Sequence, residues 1–263
     1  MSALPSGGRP STFVAIAQFE GRKLISSGPF LAGVGIALLG SAIFLRASLA
    51  RFASWDDDSW TMVVGFMMLA ILTMVATNRA GLRDHREHTD EQHASLPVGP
   101  ATRAGGLLLA TAWPAVAAAV LLASVVALAA IQLGVPGIGV IHFVHLVLLI
   151  VMLGVLGAAL AMWVPSPFVA PVLALGLYFV SPGEDHASWH AAWPFSFLQS
   201  VELAAWHLIY IASLIAVIGV WTLSRFGMQR ALEVTLIVAI VAGGISLAVV
   251  VGRVCPDIGR CLL

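Results

Sequence analysis

The ionic residues of this chain are gathered into short islands between long apolar stretches. No Asp, Glu, Lys or Arg occurs in the 22 residues between Lys23 and Arg46, the 20 between Asp58 and Arg79, the 22 between Glu202 and Arg225, or the 19 between Glu233 and Arg253. A hydrocarbon layer about 30 Å thick takes about 20 apolar residues at about 1.5 Å rise each. Each window therefore predicts one membrane-crossing helix. A further window, Ala104 to Gly183, runs for 80 residues without such a charge and must fold back on itself. Gly134–Pro136–Gly137 and Pro165–Ser166–Pro167 are its breaks, because proline ends a helix and glycine allows a tight reversal. They divide it into spans at 105–132, 139–164 and 167–182. Pro114 and Pro171 fall inside these spans as tolerated kinks. The expected fold is an all-α polytopic transmembrane bundle of about seven helices, the fifth short and open to a partly re-entrant reading.

Composition agrees and removes the soluble alternative. The apolar residues make up 60% and the charged residues 10%, with mean hydropathy +0.98; a soluble domain carries about 25% charged residues. Thirteen Lys and Arg balance thirteen Asp and Glu, so no basic field points to nucleic acid. The first apolar run starts too late for a cleavable leader and lacks a small-residue exit.

Orientation follows from the basic residues. With the N-terminus inside, nine lie in cytoplasmic segments (Arg9, Arg22, Lys23, Arg79, Arg83, Arg86, Arg103, Arg225, Arg230) and four outside (Arg46, Arg51, Arg253, Arg260). Seven spans then put the C-terminus outside, in a cell (plasma or inner) membrane. Trp55, Trp60, Trp189, Trp193 and Trp206 fall near the outer boundary and Trp163 and Trp221 near the inner one, as an aromatic belt requires.

Between the spans the chain divides as follows. Residues 1–28 form a loose tail and an interfacial entry helix over 11–27. Spans one to five occupy 29–182, with a cytoplasmic stretch at 79–104. An outer loop covers 183–204, spans six and seven 205–252, and an outer tail 253–263. Asp56, Asp57 and Asp58 lie in the first outer loop, where they suit the positive end of the second span; a cation-attracting mouth is the alternative. The cytoplasmic stretch Asn78–Gly106 holds four Arg, four Asp or Glu and three His. Arg83–Glu87 and Arg86–Asp90 stand at i,i+4, the spacing of a short charged helix. Such a stretch either sets topology as a solvated loop or docks a soluble partner, and its isolation among minimal inner connections favours docking.

Chemistry-bearing residues are few. No Walker-type, HExxH or GxSxG pattern occurs, so the chain has no ATP site of its own and no enzyme motif. His142, His145, His186, His190 and His207 all map to the outer side, and with Cys255 and Cys261 they raise a metal or haem site. Their spacing matches no ligand signature, and interfacial hydrogen bonding is the plainer reading. Cys255 and Cys261 bracket a Pro- and Gly-containing turn and form a disulfide candidate in an oxidising compartment. Gly33 and Gly40 on the first span, and Gly154, Gly157 and Ala161 on the fourth, offer small faces for close packing. Glu202 with His207, and Arg230 with Glu233, read as local polar pairs. No carboxylate lies mid-membrane, which argues against a proton-coupled carrier.

The order of an EGRKLISSGPF entry segment, two spans, a charged stretch ending REHTDEQHASLPVGPATRAGGLLLA, three close spans and an outer loop resembles the membrane subunit of ABC-2-type ABC transporters, mostly exporters. Glu91 ahead of Leu96–Pro97–Val98 matches the family's acidic residue before a Leu-Pro-Val turn. The resemblance covers roughly residues 11–225 and implies an entry helix and a coupling helix that docks on a cytoplasmic ATP-binding subunit. It implies Arg83, Asp84, Arg86, Glu87, Asp90, Glu91 and His93 as the docking residues, supported by Glu20, Arg22 and Lys23. ATP and Mg would sit on that partner, with no cofactor on this chain, and a second permease copy or paralogue would complete the pathway. The family commonly has six spans; 183–204 then matches its re-entrant outer hairpin and 231–252 is an appended helix. A membrane redox, haem or metal-handling protein using the outer histidines, and a non-transporting accessory subunit, are the competing readings.

Overall fold

The computed structural model describes residues 12–51, 55–83, 99–133, 139–179, 201–226 and 229–254. Among them every regular element is a helix: α1 (Thr12–Ile25), α2 (Gly28–Arg51), α3 (Trp55–Gly81), α4 (Pro100–Ala110), α5 (Ala112–Leu133), α6 (Val140–Trp163), α7 (Val169–Phe179), α8 (Val201–Ser224) and α9 (Gln229–Val254). Among the described residues six stretches are long and apolar enough to cross a membrane: Gly28–Arg46, Thr61–Gly81, Pro100–Gln132, Val140–Trp163, Val201–Ser224 and Glu233–Arg253. They are the expected spans one to four, six and seven. The expected fifth, 167–182, contains α7, whose 11 residues extend about 16 Å, half the hydrocarbon thickness.

Two sequence expectations change at the prolines. The third span is two helices, broken at Thr111. Pro114 has no N–H for the carbonyl of Ala110, and its ring crowds that carbonyl. Thr111 closes α4 instead: its N–H and its hydroxyl both donate to the carbonyl of Leu108, at 3.3 and 2.6 Å. Pro171 does not kink a span, because it is the third residue of α7, in the first turn where proline is tolerated. The Pro165–Ser166–Pro167 break falls where expected: Val164, restricted by the proline after it, is extended and caps α6. Asp56, Asp57 and Asp58 belong to α3 rather than to a loop before it.

The α1–α2 elbow is a two-residue turn. Ser26 Oγ donates to the carbonyls of Arg22 and Lys23, and Ser27 Oγ to that of Leu24, satisfying the last acceptors of α1. The Ser27 carbonyl then accepts from the Leu31 N–H at 3.0 Å, which starts α2.

Packing radiates from α3 and α6. Of the most apolar window in each span, 67% is buried in α3 and 61% in α6, against 22–33% in the other four. α3 lies between α2 and α6, α8 packs on α6, and α9 packs on α8. The small residues permit this. A Cβ on Gly40 would lie 2.6 Å from the carbonyl oxygen of Thr61, and one on Gly65 3.1 Å from the Ala37 Cα, so α2 and α3 meet backbone to backbone. A Cβ on Gly157 would strike the Met74 carbonyl and the Thr77 hydroxyl, fixing the α3–α6 crossing. Lipid tails give apolar side chains no reason to hide, so close contact of this kind is what holds helices together. Side chains such as Leu39, Val120, Val172, Ile237 and Val241 are correspondingly exposed on the outer helices.

Candidate functional site

At the end of the bundle where α1 lies, the helices flanking the charged stretch are held together by α1. Its apolar face, with Ala17 and Leu24 buried, rests against α4 and the start of α5. Three glycines bring them close. A Cβ on Gly105 would stand 2.6 Å from the Phe13 ring, and one on Gly106 2.6 Å from Ile16 Cγ2. A Cβ on Gly21 would overlap the Trp113 ring. The combined α4–α5 stretch is 33 residues, about 50 Å, which exceeds the hydrocarbon core and leaves room for α4 to lie beside α1 at the boundary.

The same shielded side of α1 also carries Glu20, which reaches the other flank. Arg83, just beyond α3, donates through Nη1 to both carboxylate oxygens of Glu20, at 3.2 and 3.3 Å. The pair is largely shielded, with 28% and 19% of the two side chains exposed. One 14-residue helix thus grips the entry to the 84–98 stretch through Glu20 and the exit from it through Phe13 and Ile16. Arg22 and Lys23 occupy its last turn, where cations suit the negative end of the helix dipole. Lys23 Nζ sits 4.1 Å from the centre of the Phe19 ring. Arg22, Lys23, Gln18 and Phe19 line a shallow outward groove of about 430 Å³. Asp84, Arg86, Glu87, Asp90, Glu91 and His93 lie outside the described residues, as do His186, His190, Cys255 and Cys261.

The same end carries a second brace. The Trp163 and Trp221 rings meet edge to face at 5.8 Å, Arg225 lies over Trp163, and its guanidinium donates to the Met162 carbonyl. At the opposite end Arg253 Nη1 pairs with Glu202 at 3.0 Å, both well exposed. The expected Glu202–His207 pair is therefore corrected: Glu202 binds Arg253 of α9.

His207 turns inward to another partner. His145 Nε2 and His207 Nδ1 stand 2.7 Å apart, and both residues are buried, 3% and 1% exposed. His145 is the sixth residue of its helix and His207 the seventh, about 8–9 Å along the axis, so the pair is inside the bundle rather than at its edge. One ring donates and the other accepts, so it needs one proton between them. The spacing is that of a hydrogen bond, shorter than the about 3.3 Å between two nitrogens on one tetrahedral metal at about 2.0–2.1 Å. His142, expected on the same face through its i,i+3 spacing, is half-buried. Among the described residues no three His, Cys, Asp or Glu side chains group as a metal site.

Sequence reasoning missed Gly21, Gly105, Gly106 and Trp113. The Gly105–Gly106 doublet, two residues after Arg103, was the available signal. Fold and site together define a helical membrane protein in which the N-terminal helix α1 braces both flanks of the charged stretch. No family model, no curated protein and no solved structure matches the chain.

Proposed function

We propose that the chain is the permease subunit of an ABC-2-type transporter, moving its substrate, by export, through alternating access driven by a separate ATP-hydrolysing subunit. The observation that carries this reading is the double grip of α1 on both flanks of the 84–98 stretch. A segment that passes force from a soluble motor to the spans must not fold away when pushed. The Glu20–Arg83 ion pair and the Phe13–Gly105 and Ile16–Gly106 contacts supply such an anchorage. In this reading the α1 end faces the cytoplasm, consistent with nine basic residues on that side against four on the other. Asp84, Arg86, Glu87, Asp90, Glu91 and His93 make the contact with the motor, Arg22 and Lys23 flank it, and Glu20 and Arg83 act as positioning residues. Motion then reaches α3, and through the α3–α6 and α2–α3 crossings the centre of the bundle. A second copy or paralogue supplies the other half of the pathway, covering part of the exposed apolar faces of the outer helices.

The test is transport and ATP hydrolysis by the complex reconstituted in vesicles. Neutralising Asp84, Glu87, Asp90 and Glu91 together abolishes ATP-driven transport and releases the motor subunit. A complex that stays intact and active after that change removes the assigned docking site.

A further inference from the structure

Beside the outward groove, and sharing Lys23 with it, lies a cleft of about 550 Å³ between the α1–α2 elbow and the end of α3. Its rim carries Lys23, Arg79 and Arg83, and its wall includes Ser27, Pro29 and Ala76. Among the described residues the one carboxylate paired with any of these cations is Glu20, bound to Arg83. Among the described residues Lys23 and Arg79 have no carboxylate partner. The N–H groups of Gly28 and Phe30 in the first turn of α2 add to the field, since they have no acceptor within their own helix; Pro29 has no N–H, and Leu31 donates to Ser27. At Gly28 an added Cβ would meet nothing within 4 Å, so the mouth is open there.

The depth of the cleft is fixed by its own residues. Gly28 begins one candidate span and Gly81 ends the next, so the rim lies where hydrocarbon gives way to headgroups. Leu24, Ala76 and Ala80 complete the lining, with Ala76 about one turn deeper along α3 than Arg79. A cationic rim above an apolar floor at this level matches an amphiphile with an anionic head.

We propose that this cleft binds the phosphate headgroup of one anionic phospholipid, with Arg79 and Lys23 as the principal ligands and Arg83 shared with Glu20. The bound lipid cements the elbow to α3 and screens charges that would otherwise repel. This site does not depend on the transporter reading, and it holds in either leaflet.

The experiment is native mass spectrometry of the full chain in detergent, titrated separately with phosphatidylglycerol, phosphatidylcholine and inorganic phosphate. One phosphatidylglycerol per chain is expected, bound roughly 25-fold more tightly than phosphatidylcholine for two unpaired cations at about 1 kcal/mol each. Arg79→Gln weakens it by about fivefold. Arg22→Gln, which removes the same charge from the outward groove, leaves it within about twofold on that scale. Gly28→Leu, which fills the mouth without changing charge, also loses the lipid, and melting curves of each variant verify folding. Equal binding of the two lipids, equal losses in Arg22→Gln and Arg79→Gln, or full binding by Gly28→Leu each overturn the site. Displacement of phosphatidylglycerol by inorganic phosphate at matched concentration overturns the lipid assignment in favour of a free anion.

Discussion

Glu20 and Arg83 are 63 residues apart in the chain, and each alone reads as one more charged group at a membrane boundary. Their pairing has a measurable consequence. The bridge is neither fully buried nor free in water, so its loss falls between the about 0–1 kcal/mol of surface pairs and the about 3–5 kcal/mol of buried ones. Glu20→Gln and Arg83→Gln should each lower stability by about 1–2 kcal/mol, seen as a lower melting midpoint in detergent. The double variant should cost less than the sum, because both changes remove one interaction; additive losses would show that the pair does not couple. At the histidines, His145→Ala leaves His207 Nδ1 without its buried partner, a penalty of about 1–3 kcal/mol, whereas replacing half-buried His142 by Ala should cost less. Comparing the two melting midpoints checks which histidine α8 relies on. The i,i+3 spacing of His142 and His145 was legible. The choice of His207 was not, since no local spacing records a contact made across 62 residues.

At the scale of elements, charge-free windows located the spans because exclusion of ions from hydrocarbon acts on each segment separately. The same local logic found the small faces of α2 and α6 but not what they press against. It placed Pro114 in a span without locating the break, which falls at Thr111 because proline disturbs the carbonyl four residues earlier. The glycine contacts divide into two testable kinds. Gly157→Ala puts a Cβ onto the Met74 carbonyl and Thr77 hydroxyl, so overpacking of about 1–3 kcal/mol is expected. Gly35→Ala and Gly244→Ala meet open space and should be neutral, or stabilising by up to about 1 kcal/mol from helix propensity. Melting midpoints that fell equally in all three would show that the α3–α6 crossing is not set by Gly157. Gly106→Leu should act on α1 in particular, pushing Ile16 away and loosening the entry helix, which faster proteolysis between α1 and α2 would report.

For the whole molecule, the arrangement is a packed centre of α3 and α6, outer helices with apolar exposed faces, and one end where α1 ties the flanks of a charged stretch together. The helical, membrane-spanning character was legible from composition and spacing alone. The brace was not, because it depends on α1 touching α3 and α4 at once, and that is a property of the assembled bundle. If the charged stretch is a coupling element, its acidic residues act on a partner rather than on the fold. The Asp84→Asn, Glu87→Gln, Asp90→Asn, Glu91→Gln variant should then melt like the unaltered chain while losing its motor. The most direct measurement is ATPase activity recovered with the tagged chain from its native membranes, compared with that variant at equal yield. The account predicts ATP hydrolysis co-purifying with the unaltered chain and falling to background in the variant. No ATP hydrolysis with either, or equal hydrolysis with both, would contradict it.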